Sequence, residues 1–140
     1  MEYPPTKYSF IRYQLPFVLW AVLIFVSSSI PGRNIPKINF PNADKVVHFA
    51  IFMVFCALTD RAIRFQNRIP FFSKHHLILS VVITVVYGLI DEGHQLFVPN
   101  RDANLMDLAA DAVGASLYVV LFWSWSYFRK AILQGLPDEH

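Results

Sequence analysis

The stretch VVYGLIDEGHQLFVPNR, Val85–Arg101, begins as a membrane-grade apolar helix and ends as a polar loop. At the junction stand Asp91, Glu92, Gly93, His94 and Gln95. Two carboxylates therefore share a helix with Val85, Val86 and Leu89. What they are for depends on the rest of the chain.

The 140 residues read as a single domain, 1–140. Hydrophobic residues make up 55% of them, above the roughly 45–50% of soluble domains. They are bunched into runs at Leu15–Ile30, Val46–Leu58, Leu77–Ile90 and Leu108–Trp125. A spanning helix needs about 20 predominantly apolar residues. The first and fourth runs approach that alone, and the second and third reach it by including their polar ends. The expectation is an all-α polytopic membrane protein, a bundle of four transmembrane helices over about 13–30, 44–62, 75–97 and 106–128. A soluble domain of this size lacks the charges to cover four helices that are apolar nearly all round. A cleaved signal peptide fits less well, because the first run is long for one and carries Trp20 in its middle.

Short-loop Lys and Arg set membrane orientation. Lys7, Arg12, Arg61, Arg64, Arg68, Lys74, Arg129 and Lys130 fall on one side, eight residues; Arg33, Lys37, Lys45 and Arg101 fall on the other, four. Both termini are therefore expected in the cytoplasm, with the first and third loops outside. The first loop holds Pro31, Pro36 and Pro41 and reads as extended, without regular structure. Trp123, Trp125, Tyr127 and Phe128 precede Arg129 and Lys130 as an inner aromatic belt. His75 and His76 read as headgroup-level residues on the cytoplasmic side. Cys56, the single cysteine, has no partner within the chain and reads as a small apolar residue. A net charge of +2 and the lack of a basic aromatic stripe give no sign of nucleic-acid binding.

The polar residues of the spans recur four apart: Asp44 and His48, Asp91 and Gln95, Asp107 and Asp111. Such pairs share a helix face. Thr84, Gly88, Asp91, Glu92 and Gln95 fall within one arc of the third span, and Asp107, Asp111, Gly114 and Tyr118 within one face of the fourth. Gly88 and Gly114 are expected to allow close helix approach beneath the polar layer. His48 and Asp111 lie one turn, roughly 6 Å, inside their helix ends. The cluster is thus expected just below the outer interface, where a charge costs less than the roughly 2.5–3.5 kcal/mol of the helix centre. Five carboxylates facing one another need relief: a salt bridge from Arg101, shared protons, a bound cation or a cationic part of a ligand.

These residues resemble the VanZ-like family of small bacterial membrane proteins. The resemblance rests on DKVVHF (Asp44–Phe49), on DEGHQLFVPNRDANLMDLAAD (Asp91–Asp111), on AVGA (Ala112–Ala115) and on SSSIPG (Ser27–Gly32). The family pattern has Asp-Lys-x-x-His opening a helix, an acid-rich stretch leading through Gln to Phe-x-Pro-x-Arg, and an Asp opening the last helix. Two positions depart: Asp111, where Asn is frequent, and Asn100, where Gly is frequent. The resemblance implies a multi-helix membrane protein. The family's namesake is an accessory protein in resistance to glycopeptides of the teicoplanin type, and no established mechanism comes with the name.

The candidate site is Asp44, His48, Asp91, Glu92, Gln95, Arg101 and Asp107, with Lys45 and Asp111 as binding residues. As an enzyme, His48 oriented by Asp44 would act as acid or base, with Asp91 and Glu92 as the second proton-transfer pair. Arg101 would hold a phosphate or carboxylate of a lipid-linked cell-envelope substrate. Ser27–Ser29 read as helix-end serines satisfying backbone groups. As a binding or accessory protein, the same site would engage a lipid-linked cell-wall precursor or a glycopeptide beside membrane lipids. A small transporter and a purely structural clamp are the remaining readings. A metal site from His48 with carboxylates is a minor alternative that no HExxH or CxxC spacing supports, and no cofactor is expected.

Overall fold

The computed structural model describes residues 10–34, 41–66 and 69–134. Lys7, Pro36, Lys37 and Arg68 lie outside the described residues. The fold is all-α, with no strand among the described residues. Helix α1 is Phe10–Ser28, its first five residues, Phe10–Gln14, wound as a π-helix. Helix α2 is Ala43–Arg64, α3 the short Pro70–Lys74, α4 His76–Gln95 and α5 Leu105–Gln134. Helices α1, α2, α4 and α5 are long and apolar enough to span a membrane.

Local chemistry sets several of these bounds. Pro70 opens α3, where its missing N–H costs nothing, and Ile69 before it is extended at φ −131°. Asn42 leads into α2 at φ 58°, a left-handed conformation that Asn tolerates better than most residues. Helix α5 continues beyond the expected end near residue 128, because Arg129–Gln134 contains good helix formers and no breaker. The first loop, read as irregular, holds a 3-10 turn at Gly32–Asn34.

Helix α2 is central and packs most extensively on α5. At Gly114 the two approach so closely that an added Cβ would run into the Phe49 carbonyl and lie 3.2 Å from the Met53 nitrogen. The expected role of Gly114 therefore holds. An apolar core of Ile24, Phe52 and Phe55, flanked by Trp20 and Tyr87, joins α1 to α2 and α4. Trp20 Nε1 donates to the Ile51 carbonyl at 3.2 Å, and Tyr87 OH donates to the Ala21 carbonyl at 2.6 Å. Outside the bundle Val22, Val26, Val82, Val86, Val113 and Val120 are each at least half exposed. A soluble domain would present all of this to water; a bilayer covers it.

Candidate functional site

The first turns of α2 and α5 and the last turns of α4 meet at one end of the bundle. They bring together Lys45 and His48, Asp91, Glu92 and Gln95, and Asp107 and Asp111. Asp91, Glu92, Gln95, Asp107 and Asp111 are all buried.

His48 Nδ1 donates to Asp111 Oδ1 at 3.1 Å. The carboxylate that orients the imidazole is therefore Asp111 on another helix, not Asp44 one turn away. The Asp44 side chain is 57% exposed and accepts from Nζ of neighbouring Lys45 at 2.7 Å. Lys45 Nζ also donates to Asp107 Oδ1 at 3.1 Å and so bridges α2 to α5. Gln95 Nε2 donates to Asp91 Oδ2 at 3.0 Å. Glu92 Oε2 accepts from the Asn104 backbone N–H at 2.7 Å. Two oxygens are left over: Glu92 Oε1 and Asp111 Oδ2 are buried and have no hydrogen-bond partner among the described residues. Asp111 Oδ2 points at Gly88, where an added Cβ would come within 2.7 Å of it.

Arg101 behaves differently from the expectation. Among the described residues it pairs with no carboxylate. Its Nε and Nη2 donate to the carbonyls of Ile30 and Ser27, both at 3.3 Å, and Nη1 reaches Gln95 Oε1 at 3.5 Å. It caps the Ser27 carbonyl at the end of α1 and the Ile30 carbonyl just beyond, and among the described residues reaches the acids through Gln95.

Residues 5–128 match the family described as VanZ/LLP1. The chain belongs to the VanZ-like family. No curated protein and no solved structure matches it.

The fold brings two separate pieces of the VanZ-like pattern together. SSSIPG and FVPNR are clipped to each other: the Gly32 N–H donates to the Pro99 carbonyl at 3.1 Å, and the Asn100 carbonyl leaves no room for a Cβ at Gly32. Asn100 itself sits at φ 59°, the left-handed region where glycine is easiest. The serines bond to backbone as expected: Ser28 and Ser29 Oγ both donate to the Phe25 carbonyl, at 3.0 and 2.7 Å. Ser29 Oγ also lies 3.0 Å from His94 Nε2, which ties α1 to α4.

A second buried polar group lies at the opposite end of this VanZ-like bundle, and the sequence reading passed over it. Asp60, fully buried, accepts from His76 Nδ1 and, at 2.7 Å, from Tyr118 OH. His76 thus has a partner within the bundle, Asp60 of α2. The signal was present: His76, Ser80, Thr84 and Gly88 lead in steps of four to Glu92 along the whole of α4, and Ser80, Thr84 and Gly88 are all buried.

Proposed function

We propose that this VanZ-like protein lies in the bacterial cytoplasmic membrane with both termini in the cytoplasm. Its His48–Glu92–Asp107 end then opens to the outer interface. There it binds or acts on a cell-envelope ligand, lipid-linked or peptidoglycan-related. The observation that carries this reading is the pair of buried, unpartnered oxygens, Glu92 Oε1 and Asp111 Oδ2. An unpaired buried polar atom costs about 1–3 kcal/mol, and more when charged. A cluster that served only to hold helices would gain by losing both; a binding site has a use for them. The distribution of Lys and Arg supports the orientation, eight against four. The history of the family's namesake supports a test with glycopeptides of the teicoplanin type.

The test is envelope phenotype against membrane abundance. Glu92→Gln, His48→Ala and Asp107→Asn are each expected to abolish a glycopeptide or cell-wall phenotype while the protein stays at its normal level in the membrane. Incubation of the purified protein with a lipid-linked precursor then separates turnover from binding. The second reading, a helix clamp, is favoured by the Lys45–Asp107 bridge and by the Asn104 N–H on Glu92, which hold loops and helices in place. Disappearance of every variant from the membrane would decide for the clamp.

A further inference from the structure

We infer that His48, Glu92 and Asp107 form a binding site for a divalent transition-metal ion, with Zn2+ as its natural probe. Each residue offers a donor atom, and these atoms lie within 4.8 Å of one another. They come from α2, α4 and α5, so no spacing within one helix announces them.

The surroundings of each donor fit the assignment. His48 spends Nδ1 on Asp111, which leaves Nε2 as the free lone pair. A carboxylate behind a ligating imidazole fixes its tautomer and direction, and metal-binding histidines almost always have such a partner. Glu92 is 5% exposed, and one of its oxygens is buried without a partner. Internal packing does not account for that oxygen; a ligand does. Asp107 gives Oδ1 to Lys45, and Oδ2 has no hydrogen bond among the described residues. The charge balance points the same way. Asp91, Glu92, Asp107 and Asp111 gather here against Lys45, while Arg101 is engaged with backbone carbonyls.

The donor set narrows the ion. Imidazole favours zinc, iron and similar metals, and carboxylates accept the harder members of that series. Calcium takes six to eight oxygens and magnesium keeps its waters, so neither explains a histidine with a carboxylate prepared behind it. Donors around a tetrahedral zinc stand about 3.3 Å apart, so the donor atoms need to close by no more than about 1.5 Å on binding. Three protein ligands leave one position open, as in zinc sites that meet a water or a substrate. The ion would offset the acid cluster and present that open position at the end of the bundle. The cation site stands on these donors whatever the organic ligand proves to be.

The experiment uses the full, untagged protein in detergent, stripped with EDTA, dialysed against Zn2+, Mn2+ or Mg2+ and analysed for bound metal. About one Zn2+ or Mn2+ per chain is expected for the unaltered protein. Glu92→Gln and Asp107→Asn, which change shape little, are expected to lose it while remaining monodisperse. Asp111→Asn is expected to keep the site but weaken it about 10–100-fold, measured by competition with a chromophoric chelator. Asp44→Asn should bind as the unaltered protein does. Zn2+ should raise the melting temperature of the unaltered protein and leave Glu92→Gln unmoved. The assignment is overturned if the stripped protein takes up no ion, if the triad variants bind as well as the parent, or if Mg2+ outcompetes Zn2+. Because the probe is the metal alone, a negative result leaves the cell-envelope reading to stand or fall on its own phenotype.

Discussion

At one end of the bundle Asp60 receives His76 on one oxygen and Tyr118 on the other. At the other end Asp111 receives His48 on one oxygen and, among the described residues, nothing on the second. Both are aspartates with no exposed surface, each held by a histidine from a neighbouring helix. The first arrangement is closed, with every carboxylate oxygen in use. The unpartnered atoms near it, Arg64 Nε and Gln14 Oε1, are not carboxylate oxygens, and the Arg64 guanidinium lies over the Phe65 and Phe122 rings. The second arrangement is open, and Glu92 repeats the shortfall beside it. The difference separates a polar group that holds helices together from one that waits for something to hold.

The largest effect should come from breaking the closed end. Asp60→Ala strands His76 and Tyr118 in the interior and is expected to cost about 3–5 kcal/mol, read as a large fall in melting temperature in detergent. If Asp60→Ala melts like the parent, the contrast between the ends collapses. Next in size is Gly114→Ala. Its methyl group meets the backbone of α2 at Phe49 and Met53, which cannot turn aside. A loss of about 1–3 kcal/mol is expected by the same measurement.

Ser29→Ala removes the hydrogen bond to His94 but leaves Phe25 of α1 stacked on its ring, and should cost only about 0.5–1.5 kcal/mol. The smallest change in stability belongs to Glu92→Gln. An amide keeps an acceptor for the Asn104 N–H and gives up a buried charge, so melting should stay within about 1 kcal/mol of the parent or rise. The same variant should lose metal and phenotype. Opposite signs at Asp60 and Glu92 would sharpen the comparison; a fall of similar size at both would erase it.

The four spans and the faces of their polar pairs were legible because both depend on period and composition, which a single helix carries. Partner choice was not. The four-residue step put Asp44 and His48 on one side of α2, yet it does not say what stands across the gap. Asp44 sits in the first turn, with room to turn outward to Lys45, while His48 lies one turn deeper and faces α5. Asp111, an acid where the family pattern often has Asn, proves to be the residue that aims the imidazole. Arg101 was hidden for the same reason: the carbonyls it caps belong to Ser27 and Ile30, far away in sequence. Asp60 escaped because both of its partners, His76 and Tyr118, stand on other helices.

The polar face of α4 also bears on how the protein is made. Of the four spans α4 has the lowest mean hydropathy, 1.5 against 1.7, 1.8 and 1.7 for α1, α2 and α5. As ribosome and translocon deliver the chain from its N-terminus, α4 arrives with Asp91 and Glu92 already on board. Asn104, which meets Glu92, is encoded afterwards, as is Arg101, which steadies Gln95. Asp107 and Asp111 come later still; until then Lys45 has only its neighbour Asp44 of its two carboxylate partners, and His48 lacks Asp111. The last helix thus completes the acid face: a chain that stops before it carries Asp91 and Glu92 without Asp107 and Asp111, the acids that meet Lys45 and His48.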